Sequence, residues 1–122
     1  MAVIEAFDYG SQTVSDPQRV EQVKSQMTDE VTAQRLAETF GAMADATRLR
    51  IIEALTHAEL CVYDLCAALN LSQSCASHHL RTLRILRLVS GRREGKRVYY
   101  SLDDDHIRWL FAQGLEHVRE AR

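Results

Sequence analysis

The sequence predicts a mainly helical domain carrying one small β-hairpin. Three observations lead there: amphipathic stretches with apolar residues at helical spacing, two short helical patterns joined across three residues, and a run of strand formers interrupted by a glycine. With 122 residues, 46% hydrophobic and 26% charged, the chain has the mixture of a single domain, which excludes a disordered tail, a collagen and a disulfide miniprotein. No apolar run has the 18 or so residues of a membrane span. The N-terminus, MAVIEAFDYG, lacks the basic region and apolar core of a signal peptide, so the expected place is the cytoplasm, with no membrane partner. Three cysteines without an export signal point to reduced thiols rather than a disulfide framework.

Residues 1–15 show little periodicity and are expected to form an N-terminal arm, whose order the sequence leaves open, ahead of a domain over 16–122. Asp16-Pro17 has the chemistry of a helix start and is followed by Val20, Val23 and Met27 on one face. A second helix is expected from about Asp29 to before Asp45, with Val31, Leu36, Phe40 and Met43 apolar. Asp45 suits the cap of a third, in which Leu49, Ile52 and Leu55 recur at three-residue spacing.

CVYDLCAAL, beginning at Cys61, then predicts a short helix with Val62, Leu65, Cys66 and Leu69 on one side. Asn70-Leu71-Ser72 makes a tight turn, and Ser72 caps the next helix. There Ala76, Leu80, Leu83 and Leu86 form the inner stripe, while Gln73, Ser74, Ser77, His78, Arg81 and Arg84 fall on the other side. An apolar back and a front of amide, hydroxyl, imidazole and guanidinium groups suit a helix that reads base edges in the major groove. Two such helices across a short turn make a helix-turn-helix. LVSGRREGKRVYYSL follows, with Val89, Val98, Tyr99 and Tyr100 as strand formers and a glycine in Arg93-Glu94-Gly95-Lys96, the sign of a hairpin with a basic tip. Beside a reading helix, that hairpin is a wing whose Arg92, Arg93, Lys96 and Arg97 suit the DNA backbone.

Charge placement agrees. The formal total is −2, yet residues 81–97 hold Arg81, Arg84, Arg87, Arg92, Arg93, Lys96 and Arg97 against Glu94 alone, a local balance of +6 that leaves −8 for the rest. A charge run by itself is also what an ordinary solvated face looks like; joined to the helix-turn-helix and hairpin, it marks a face for a polyanion.

From Asp104 the chain reads as one amphipathic helix holding Asp104, His106, His117 and Glu120. Eleven residues return His117 to within about 20° of His106, but displace it by about 16 Å along the axis, far beyond the reach of one ion with Zn–N bonds near 2 Å. Two antiparallel copies would bring the Asp104/His106 end of one beside the His117/Glu120 end of the other. The spacing therefore predicts a homodimer with two equivalent sites suited to Zn²⁺ or Co²⁺, its helix pair burying Ile107, Leu110, Phe111, Leu115 and Val118. Spacing alone leaves open that these histidines only cap, pack or meet solvent.

These residues resemble the ArsR/SmtB family of winged-helix, metal-responsive repressors over about residues 30–122. The likeness is carried by ADATRLRIIEAL, ELCVYDLCAALNLSQSCASHHLRTLRILRLV, GRREGKRVYYSL and DDDHIRWLFAQGLEHVRE. It implies a winged helix-turn-helix that dimerises through its N-terminal and C-terminal helices, binds double-stranded operator DNA at an imperfect palindrome, and is released when metal binds. The last segment resembles the subgroup that senses zinc at the dimer interface, which assigns Asp104, His106, His117 and Glu120 as ligands of Zn²⁺, with Co²⁺ or Cd²⁺ as substitutes. The family's second site would fall on Cys61 and Asp64, joined by thiols or imidazoles from the arm, but residues 1–56 contain neither Cys nor His. Cys66 as a substitute ligand points about 140° away from Cys61 if both lie on one helix. Small buried side chains are the simpler role for the cysteines, and an arsenic(III) or thiol-redox sensor using Cys61 and Cys66 is the alternative function. An enzyme is not expected, because a hydrolytic zinc needs an open position and a nearby base.

Overall fold

The computed structural model describes residues 13–120, and their contacts divide the chain between Ala33 and Gln34 into two units. Most of the expected arm, residues 1–12, lies outside the described residues. In the first unit, α1 (Pro17–Gln26) is opened by Asp16, whose Oδ1 accepts from the Arg19 amide at 3.0 Å. It buries no residue. Helix α2 (Glu30–Met43) starts at Asp29, whose carboxylate accepts from the amide and hydroxyl of Thr32. Those bonds hold the Asp29 carboxyl below its usual range, the side-chain bond most strongly.

The second unit holds the rest of α2, then α3 (Ala46–His57), β1 (Leu60–Cys61), α4 (Val62–Leu69), α5 (Gln73–Ile85), β2 (Val89–Glu94), β3 (Arg97–Leu102) and α6 (Asp105–Glu120). Two helix starts are fixed by side-chain oxygens as expected, Asp45 accepting from the Arg48 amide at 3.0 Å and Ser72 from Cys75 at 3.1 Å; Asp104, expected only as a metal ligand, also caps its helix, accepting from His106 and Ile107 at 2.8 and 3.3 Å. Between α4 and α5, Asn70 adopts φ 56°, and the Leu71 amide returns to the Cys66 carbonyl. Asn tolerates that left-handed backbone well.

The end of α5 is a Schellman motif. Leu88 N–H bonds the Leu83 carbonyl at 2.8 Å and Arg87 N–H bonds that of Arg84 at 3.0 Å, with Arg87 at φ 60°. A residue with a Cβ is strained there, so Arg87→Gly is expected to raise stability by roughly 0.5–1 kcal/mol. An unchanged or lower urea midpoint at fixed protein concentration would contradict it.

The sheet is antiparallel in the order β1-β3-β2. β2 and β3 pair from Val89 with Leu102 to Glu94 with Arg97, leaving Gly95-Lys96 as a two-residue turn with Gly95 at φ 63°. At Gly91 a Cβ would stand 3.0 Å from Val98 Cγ1 and 3.2 Å from Tyr100 Cε1, so the tyrosine ring takes the place a side chain would need. The expected hairpin is thus present, and β1 adds a third strand through Leu60 with Tyr100 and Cys61 with Tyr99. Cys61 is therefore a strand residue preceding α4 rather than its first helical residue.

The core joins Ile51, Ile52 and Leu55 of α3, Leu65 of α4, Leu80 and Leu83 of α5, Leu88 and Val89, with Ala42, Met43 and Ile107. Ala76 is also buried, while Leu86 is only half-buried because it caps α5. On α4 only Leu65 is fully enclosed; Val62 and Leu69 pack at the core's edge, and Cys66 is half-buried. Ile107 differs from expectation: 7% exposed, it belongs to the core of its own chain and is not available to a second α6.

Candidate nucleic-acid interface and metal-ligand helix

Helix α5 turns Ala76, Leu80 and Leu83 inward, which leaves Gln73, Ser74, Ser77, His78, Arg81 and Arg84 exposed, the arrangement the sequence predicts. The two adjacent histidines divide their roles. His78 faces solvent, whereas half-buried His79 accepts at Nδ1 from Arg48 Nε at 3.0 Å. Arg48 also donates to the Ala42 carbonyl, so one side chain ties α5 to α3 and to the end of α2. That bond needs an unprotonated Nδ1 on His79. Helical periodicity gives no sign of it, since the partners are 31 residues apart.

On the wing the four expected cations are not equivalent. Arg93 and Lys96 are exposed and form no ion pair among the described residues. Arg92 lies between two carboxylates: Nε donates to both oxygens of Glu59 at 3.1 and 3.0 Å, Nη2 to Oε1 at 2.6 Å, and Nη1 to Glu94 at 2.5 Å. The bonds to Glu59 and then Glu94 raise the guanidinium's pKa, and Arg92 holds the Glu59 carboxyl below its usual range. Glu59 lies well before the basic segment 81–97, so Glu94 is not the only counter-charge that segment meets. Arg97 donates through Nη1 to Cys61 Sγ at 3.6 Å, which raises its own pKa, and lies 5.9 Å from the Tyr63 ring centre.

The terminal helix places its four candidates at its two ends. Asp104 and His106 meet at the start, Oδ1 and Nδ1 3.4 Å apart, while His117 and Glu120 are exposed in the last turn. Asp104 Oδ1 accepts the capping bonds, and Oδ2 accepts none among the described residues. Among the described residues no three His, Cys, Asp or Glu side chains converge within one chain to hold an ion. The same holds for Cys61, Asp64 and Cys66: Cys61 is buried with its sulfur toward Arg97, Asp64 is exposed in the first turn of α4, and Cys66 lies further along that helix.

Beside this helix runs an apolar groove lined by Phe40, Met43, Leu49, Leu110, Phe111, Leu115 and Val118. Phe40 is 48% and Val118 62% exposed, so this face is open in a single chain. Periodicity assigns the α6 residues to such a surface but gives no hint of Phe40, Met43 and Leu49, which only tertiary packing places there.

The family model for the bacterial regulatory protein, arsR family, matches residues 45–90, from the cap of α3 through the helix-turn-helix to the first wing strand. A transcriptional repressor SmtB homolog of Synechocystis sp. is 46% identical over 104 residues, 85% of this chain and 79% of its own length. The chain belongs to the ArsR/SmtB family of metal-responsive transcriptional repressors. Like other members it is a DNA-binding regulator and not an enzyme. A cadmium resistance regulatory protein CadC homolog of Staphylococcus aureus is 44% identical over 70% of this chain and 71% of its own. The fold is likewise that of solved structures. The homodimeric winged helix-turn-helix DNA-binding domain of a possible ArsR-family regulator from Mycobacterium bovis superposes with a TM-score of 0.71 at 29% identity, covering 80% of this chain and 92% of that one. Among the described residues no helix of this family member is long and apolar enough to cross a membrane.

Proposed function

We propose that this ArsR/SmtB-family protein is a homodimeric repressor that binds an imperfect palindrome in double-stranded DNA and leaves it when zinc binds between its two terminal helices. The observation carrying this reading is the split of α6's donors between its ends, next to an open apolar groove. Neither end is a complete site, and a second copy supplies both the missing donors and a cover for the groove. The donor set fits the metal: carboxylate oxygens and imidazole nitrogens suit Zn²⁺, and also Co²⁺ or Cd²⁺. Bound there, the cation would add a charge shared by Asp104, His106, His117 and Glu120 of two copies, favouring dimer arrangements in which those ends meet.

The rest is the work of the chain's own residues. Gln73, Ser74, Ser77 and His78, near the start of α5, present hydrogen-bonding groups to base edges, and Arg81 and Arg84 add cations for guanine or phosphate. Arg93 and Lys96 extend the cationic face to the flanking backbone. Two reading helices about 34 Å apart would meet successive major grooves on one face of the duplex.

The test is loss of DNA binding as zinc is titrated into the protein, read by fluorescence anisotropy on a duplex selected from a random pool. Release is expected to saturate at one zinc per chain and to persist in a Cys61→Ser, Cys66→Ser variant. Loss of the response in that variant would instead favour the thiol-sensing function.

A further inference from the structure

Arg92 and Arg93 are adjacent wing cations, yet strand alternation sends them to opposite faces of the sheet. Arg93 pairs with Val98 and shares its face with Val89, Gly91 and Tyr100, the side that continues into the core on which α5 packs. Arg92 pairs with Tyr99 on the other face, with its guanidinium 5.2 Å from that ring. There it bridges Glu59, just before β1, and Glu94, at the tip of β2. Three of its five N–H donors are taken by carboxylates from two separate parts of the chain. A phosphate seeking this guanidinium would find only two N–H groups free and would have to approach two negative groups.

We infer that Arg92 is a positioning residue that braces the wing against the α3–β1 connection, and that phosphate binding by the wing falls to Arg93 and Lys96. Glu59, an acidic residue, is then a determinant of DNA binding because it anchors Arg92. The inference rests on the DNA-binding reading above and refines it, removing Arg92 from the phosphate ligands the sequence suggests.

The experiment measures affinity against salt concentration for the full chain on the selected duplex. Arg93→Ala and Lys96→Ala are each expected to flatten the slope of log affinity against log salt, by about 0.9 for each phosphate that is no longer neutralised. Arg92→Ala should weaken binding severalfold without changing the slope. Arg92→Lys should do the same, since it keeps the charge but not the fork that spans both carboxylates. Glu59→Gln should also weaken binding, although it removes a negative charge, and adding it to Arg92→Ala should have no further effect. Tighter binding or a steeper slope in Glu59→Gln, or a flatter slope in Arg92→Ala, would overturn the inference and make Arg92 a phosphate ligand. Binding by the unsubstituted protein that ignores salt would instead refute the cationic DNA face itself, and the inference with it.

Discussion

Replacing His106 and His117 together by alanine is expected to abolish the effect of zinc on operator affinity. Metal-free binding should stay within about twofold of the unsubstituted protein, whereas the response that disappears is the factor of about 5–150 typical of allosteric coupling between two sites. Both histidines are exposed and outside the core, so their removal does not disturb the fold. Neither lies on α5 or the wing, so the DNA face is untouched. Asp104 is a less clean target. Its Oδ1 caps α6, and alanine there costs about 1 kcal/mol of stability besides any effect on metal. Asp104→Asn keeps a capping oxygen and separates the two roles. A double-histidine variant that zinc still releases from DNA would remove α6 from the switch.

Leu83→Ala is expected to cost about 3 kcal/mol, within the range of roughly 2–5 typical of buried leucines, and to lower the urea midpoint measured at fixed protein concentration. Leu83 is fully buried in the core that joins α3, α4, α5 and the wing, and its carbonyl receives the bond closing the end of α5. Truncation leaves a cavity directly behind the face bearing Ser77, His78, Arg81 and Arg84. Operator affinity should fall together with stability, because the positions of those groups depend on the stripe beneath them. A change below about 1 kcal/mol would mean that the core can collapse around the missing atoms.

Local chemistry explains what was legible in the chain. Asp16, Asp45 and Ser72 announce helix starts because a short side chain reaches its own helix's amides. The inward stripe of α5 follows from helical periodicity, and Gly95 marks the hairpin because a two-residue turn needs a positive φ. Pairings between distant segments were not legible. A two-residue strand such as β1 exists only through its pairing with β3, so Leu60 and Cys61 carry no strand signal of their own. Glu59 and Arg92 are 33 residues apart, and Arg48 and His79 are 31 apart; no periodicity links them. Ile107 illustrates the remaining difficulty: the apolar residues of α6 serve both its own core and the open groove, and the pattern does not say which face takes each.

Metal on α6 and DNA on α5 and the wing are expected to form one energetically coupled system. Its most direct measurement is operator affinity with and without saturating zinc, paired with zinc affinity with and without operator. Zinc is expected to weaken DNA binding by about 5–150-fold and DNA to weaken zinc binding by the same factor, since binding coupling is reciprocal. Equal operator affinities in the two conditions would contradict it.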